Sequence, residues 1–236
     1  DYENTGTAVW ARTQINSGNL NRTFFNGVET GPDGSVYAAG LTQNTGVFDF
    51  GNGVTAQGTG SSNILMVKYN SSGSAQWART LEGGTDSASF EEVSVASDGS
   101  VYCAGYAIYN TTYDFGNGVT VAGGFATQAN ILIVKYSSSG TAQWAKSTVT
   151  ADALSRYESV AASPDGSVYA AGSGQLGSYD FGNGISWMVS GNTSGILVRY
   201  ASDGTTLWVR SVSNPPGNFT FYEVAAGPDG SVCAAG

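Results

Sequence analysis

Apolar and polar residues alternate along this chain in short stretches broken by turns rich in Gly, Ser, Asn and Asp, and the same succession keeps returning. In one occurrence Glu91-Glu92-Val93-Ser94-Val95-Ala96 alternates, Ser97-Asp98-Gly99-Ser100 interrupts, and Val101-Tyr102-Cys103-Ala104-Gly105 resumes. Alternation of period two on either side of Asp-Gly predicts a β-hairpin, with a type I′ turn whose two central residues take positive φ. Next, Tyr113-Asp114-Phe115-Gly116-Asn117-Gly118-Val119 marks another tight turn at Asn-Gly. Ile131-Leu132-Ile133-Val134-Lys135-Tyr136 is almost continuously apolar, as expected of a third strand covered on both faces. The Ser137-Ser138-Ser139-Gly140 turn then leads into a fourth strand, Ala142-Gln143-Trp144-Ala145-Lys146.

The succession recurs about every 65 residues, which makes it one supersecondary unit copied in tandem. Asp33 to Gly40 returns as Asp98 to Gly105, Asp165 to Gly172 and Asp229 to Gly236. The repeats run approximately 15–81, 82–148 and 149–212, and a fourth is divided between 213–236 and 1–14. Four antiparallel strands with so apolar a third member cannot hide both faces alone. Each sheet is therefore expected to stack on the next, giving an all-β chain folded as one β-propeller domain with the fourth blade split between the termini. Trp10, Trp77, Trp144 and Trp208 are expected as wedges between sheets near the rim, with the fourth strand outermost and the first lining the axis. Asp33, Asp98, Asp165 and Asp229 are read as turn residues.

Composition narrows the function classes. Eighteen acidic against nine basic residues give a net charge of −9, which repels phosphate backbones and argues against a nucleic-acid partner. No run of 18 apolar residues is present, so no helical membrane insertion is expected. Histidine is absent, which removes Ser-His-Asp and Cys-His nucleophile systems and imidazole zinc sites. Cys103 and Cys233 differ by one in their offset within the repeat, so they should face opposite sides of their sheets, which favours two small buried thiols over a disulfide between them. Asn21, Asn70, Asn110, Asn192 and Asn218 open glycosylation sequons, compatible with a surface glycoprotein. Asp1-Tyr2-Glu3-Asn4 is already repeat sequence, as in a processed chain or a piece of a longer one.

The motifs Asp-Gly-Ser-Val-Tyr-x-Ala-Gly, Asp-Phe-Gly-Asn-Gly-Val, Ile-Leu-x-Val-Lys-Tyr and Ser-Gly-x-Ala-Gln-Trp-Ala-Arg resemble the SBBP-type β-propeller repeats of bacterial and archaeal secreted proteins. The resemblance covers essentially the whole chain. It implies an extracellular or cell-surface module used for adhesion or as a scaffold.

Candidate chemistry is sparse. Asp-Phe-Gly at Asp49, Asp114 and Asp180 lacks the rest of a kinase signature and recurs in every complete repeat, so it is read as structure. Alignment on Val28, Val93, Val160 and Val224 places Glu92 and Glu223 one residue before the valine, and Glu91 and Glu158 two before. On an innermost strand these glutamates gather at the mouth of the axis, beside Arg156, Tyr157 and Tyr222, which depart from the repeat register. Three readings stand: solvated structure, a Ca²⁺ or ligand contact, and a pair of catalytic carboxylates.

The reading that absorbs most residues is a non-catalytic adhesion, assembly or scaffold propeller outside the cytoplasm, without a cofactor. Its partner is a protein or glycan at the cell surface, or further copies of itself joined through the incomplete terminal blade. A lectin-like propeller is the alternative, with Tyr106, Tyr109, Phe125 and Trp187 as available aromatics that do not recur at equivalent places. A polysaccharide-acting enzyme using the axial glutamates is the third, and it fails if those carboxylates stand more than about 12 Å from any partner.

Overall fold

The computed structural model describes residues 8–15, 21–84, 87–108, 111–123, 128–212 and 217–236. Among them every regular element is a β-strand and every named pairing is antiparallel. The first sheet is built from β1 (Arg22–Thr30), β2 (Val36–Gln43), β5 (Ser62–Tyr69) and β6 (Ala75–Arg79), with the short hairpin β3 (Gly46–Asp49) and β4 (Thr55–Gly58) inserted between its second and third strands. The second repeats this with β7 (Ala88–Val95), β8 (Val101–Ile108), β11 (Ala129–Tyr136) and β12 (Ala142–Lys146), around β9 (Thr112–Asp114) and β10 (Thr120–Ala122). The third has β14 (Ser155–Ala162), β15 (Val168–Gly174), β18 (Ser194–Tyr200) and β19 (Thr206–Ser211). Its insert joins β13 (Thr150–Ala151), β16 (Gly177–Asp180) and β17 (Ser186–Val189). A last hairpin pairs β20 (Glu223–Ala226) with β21 (Val232–Ala235).

The sheets stack in chain order because each is apolar on both faces. β7 packs on β1, β2 and β5; β14 packs on β7, β8 and β11; β20 packs on β14 and β15. Tyr37, Ala39, Ile64 and Met66 of the first sheet meet Phe90, Val93, Leu132 and Val134 of the second. Tyr102, Ala104, Ile131 and Ile133 then meet Tyr157, Val160, Ile196 and Val198 of the third. Ala161, Tyr169 and Ala171 close on Val224, Val232 and Ala234. The third strands behave as their unbroken apolar sequence predicts: all eight residues of β11 are buried.

The tryptophans lock one repeat to the next. Trp10, Trp77 and Trp144 donate their indole N–H to the carbonyls of Ser71, Ser138 and Ser202, each in the following repeat, at 3.1, 3.1 and 3.0 Å. Under each indole lies the glycine of the turn before the fourth strand, Gly73, Gly140 or Gly204, with φ between +76° and +84°. A Cβ there would stand 2.6, 2.8 or 2.9 Å from the ring. Glycine is thus required twice over, by its left-handed backbone and by the close approach. Arg12 and Arg79 bind the same turns through Nε to the carbonyls of Gly73 and Gly140.

Two expectations need correction. The Asp-Gly hairpins are not type I′: Asp33 does not take positive φ, Gly34 does at +73°, and Gly34 N–H bonds the Gly31 carbonyl while Gly31 N–H bonds that of Ser35. This is a three-residue loop ending in a left-handed glycine, chosen because Asp33 Oδ1 accepts from Ser35 N at 3.0 Å. The type I′ geometry belongs to Asn-Gly, where Asn52 and Gly53 have φ of +55° and +75°. Cys233 is exposed, whereas Cys103 is buried, and both are free. Trp10 lies against Tyr69 of the first sheet, with ring centroids 6.1 Å apart, in the same relation as Trp144 to Tyr200, and the sheet containing β20 and β21 has two strands among the described residues.

Candidate functional site

The glutamates at the start of each repeat owe their placement to a bulge. The pairing of β1 with β2, β7 with β8 and β14 with β15 shifts register between Phe25 and Gly27, Phe90 and Glu92, and Tyr157 and Ser159. The extra residue in each case, Asn26, Glu91 or Glu158, drops out of the ladder and is re-aimed. Tyr222 holds the equivalent position before β20.

Around these bulges the first strands share a polar network. Asn26 Nδ2 donates to the Phe90 carbonyl at 2.8 Å and to Glu91 Oε2 at 3.4 Å, while Ser89 Oγ donates to Glu91 Oε1 at 2.8 Å. Glu92 lies over Gly27, where any Cβ would collide with its carboxyl group, and its Oε1 accepts from Val93 N at 2.9 Å. Ser159 Oγ donates to Glu223 Oε1 and accepts from Val224 N, both at 3.1 Å. Burial pushes the Glu92 carboxyl above the usual carboxylate range, and the charges of Glu223 and Glu29 push the same way. Burial also raises Glu158, against the opposing pull of Arg156 at 3.7 Å. Arg156 in turn covers the Tyr106 ring at 5.3 Å.

Glu91, Glu92, Glu158 and Arg156 thus lie on the first strands of the second and third sheets, and Glu223 opens β20. Tyr157 does not belong with them. It is fully buried and its hydroxyl pairs with that of Tyr200 at 2.7 Å, so it is a core residue and not a ligand contact. Tyr222 is 66% exposed. Among the described residues no group of three or more Asp, Glu or Cys side chains is arranged to hold a metal ion. Each glutamate has a local partner, and the network reads as a way of seating carboxylates at a sheet junction. Asn192 and Asn218 are exposed, Asn70 spends its carbonyl on Ser72 and Ser74 within its own turn, Asn21 is half-buried, and Asn110 lies outside the described residues, as do Tyr109 and Phe125.

Sequence reasoning missed the second duty of the turn aspartates. Asp33 pairs with Lys68 at 3.2 Å and Asp165 with Arg199 at 2.5 Å. Lys68, Lys135 and Arg199 also cover the rings of Tyr37, Tyr102 and Tyr169 at 5.0 to 5.4 Å. Hydrogen bonds from Ser167 hold the Asp165 carboxyl down to about 2. The signal was present: an aspartate and a cation recur in every complete repeat, each four or one residues from the tyrosine that ends or follows its motif.

No family model matches this chain. Over 178 residues, 74% of its length, the chain is 30% identical to the regulatory protein FlaEY of Caulobacter vibrioides, of which it spans 18%.

Proposed function

We propose that the stacked sheets are blades of a β-propeller of SBBP-type repeats, serving as a non-catalytic adhesion, assembly or scaffold module outside the cytoplasm. The observation that supports the ring geometry is that successive first strands meet: Asn26 of β1 bonds Phe90 and Glu91 of β7, β7 packs on β14, and Ser159 of β14 bonds Glu223 of β20. Blades set around one axis bring their first strands together in this way. The recurring Trp, Arg, Lys and Asp side chains are spent on bonds between or within blades, which favours a binding body over an enzyme. Its net charge of −9 disfavours nucleic acid as the partner and favours a protein or a neutral glycan.

A regulatory role within a larger protein is the second reading, favoured by the 30% identity with a protein that carries that description. Protease treatment of intact source cells, followed by detection of released peptides, separates the two. Release from intact cells is expected for the surface module. Complete protection, with the chain recovered from the cytoplasmic fraction, would sink it.

A further inference from the structure

Between the first and second repeats lies a groove of about 470 Å³, within the usual range for ligand sites of about 300–1,000 Å³. One side is formed by β4 and the segment that follows β6, the other by the Phe115-Gly116-Asn117 turn and the start of β12. β4 is a free edge. The Phe50 N–H bonds the Val54 carbonyl and Phe48 pairs with Ala56, so the alternate residues Thr55 and Gln57 turn their backbone groups away from β3. The Gln57 carbonyl accepts from Thr80 Oγ1 at 2.7 Å, whereas the N–H groups of Thr55 and Gln57 have no acceptor among the described residues. Such an insert does take a third strand: in the third repeat β13 adds to the hairpin of β16 and β17.

Two opposite charges line the same groove without meeting. The Arg79 guanidinium spends its printed bonds on the neutral carbonyls of Gly140, Ala78 and Ser139. Glu82 is exposed and rests over the bare backbone of Gly116. Neither makes an ion pair among the described residues. Five residues after the repeated tryptophan stand Ile15, Glu82 and Val149, so the carboxylate is particular to this junction. Aromatic faces for stacking a sugar are lacking here, since Phe115 is 3% exposed and Trp77 is pressed onto Gly140. We infer that the groove is a docking site for an extended peptide of a partner protein, added as a strand beside β4, with an acidic side chain on Arg79 and a basic one on Glu82. The N–H groups of Thr55 and Gln57 donate to its main chain, and the two charges select its side chains. The inference rests on the reading of this chain as a binding module and names the class of its partner.

The probe is an array of end-capped octapeptides of alternating threonine and serine, with one glutamate and one lysine placed at every pair of positions. The tightest member is then titrated against the purified chain by fluorescence anisotropy. Binding with a Kd below about 1 mM is expected, and only for peptides that carry both charges. Gln57→Pro removes one edge donor while leaving the pairing of β3 with β4 intact, and should weaken binding about tenfold. Glu82→Lys should weaken it to a similar degree, with recovery when the lysine of the peptide is exchanged for glutamate. Leu207→Lys, at an exposed site on β19, should leave it unchanged. Absence of binding up to about 1 mM, affinity indifferent to both groove variants, a charge exchange without recovery, or a glycan array that yields ligands where the peptides are inert would each overturn the inference. Failure of the broader reading is distinguishable: a chain confined to the cytoplasm would still bind these peptides, whereas peptide binding that ignores both variants would leave a binding module with its site elsewhere.

Discussion

Replacing Gly140 by Ala tests the proposal that repeats are held together by an indole resting on bare backbone. Gly140 has φ of +78°, and Gly118, in the Asn-Gly turn of the same repeat, has +73°. Either alanine substitution therefore incurs the same left-handed backbone penalty of about 1–2 kcal/mol. Their surroundings differ. A Cβ on Gly118 meets nothing within 4 Å, whereas one on Gly140 lies 2.8 to 3.0 Å from three atoms of Trp77. To restore ordinary contact the indole must retreat by most of an ångström, which breaks the 3.1 Å bond from Trp77 to the Ser138 carbonyl. That loss is about 1 kcal/mol, and misfit packing adds about 1 more. Gly140→Ala should thus be about 2 kcal/mol less stable than Gly118→Ala, a difference of about 4–8 °C in Tm for a domain of this size. Thermal unfolding of both variants followed by near-ultraviolet circular dichroism supplies the comparison. Equal destabilisation within about 0.5 kcal/mol would mean that the glycine serves its turn alone and that the indole is not a wedge.

Two further outcomes follow from the same geometry. Trp77→Ala should cost more than Trp208→Ala by about 1–2 kcal/mol in urea unfolding, because Trp77 seats on the next repeat while Trp208 contacts Tyr169 of its own sheet at 5.9 Å and makes no such hydrogen bond among the described residues. Glu92→Gln should raise stability at neutral pH. A carboxyl whose folded pKa is raised binds more protons folded than unfolded, so its ionised form weakens the fold as pH rises through that folded value. The gain should disappear as pH falls below the ordinary carboxylate range, and a pH-independent difference between the two proteins would contradict it.

Much of this architecture was legible before any coordinates. Period-two alternation located the hairpins, the apolar third strands announced cover on both faces, and the repeated Trp at one offset marked the wedge. Other features were hidden because they depend on what a neighbour does. Gly140 in Ser-Ser-Ser-Gly reads as a turn residue, and nothing local says that Trp77 from the preceding repeat rests on it. Asp33 looked like half of a type I′ turn because Asp-Gly favours that geometry, yet its side chain bonds Ser35 and keeps it out of positive φ. Tyr157 departed from the repeat and so suggested recognition, whereas the departure matches a private partner, Tyr200. The alignment on valines placed the glutamates on the first strands, but their bonds to Ser89, Ser159 and Val93 are set by bulges that the sequence does not flag.

Hydrogen exchange measured by mass spectrometry bears most directly on the claim that each sheet owes its stability to the sheet covering it. Amides of β11, buried along its whole length between two neighbours, should exchange only at the rate of global unfolding. Those of β20 and β21, covered on one face, should open first, and β1 with its bare Val28 should fall between. Equal protection of the last hairpin and β11, or rapid exchange throughout β11, would contradict the account.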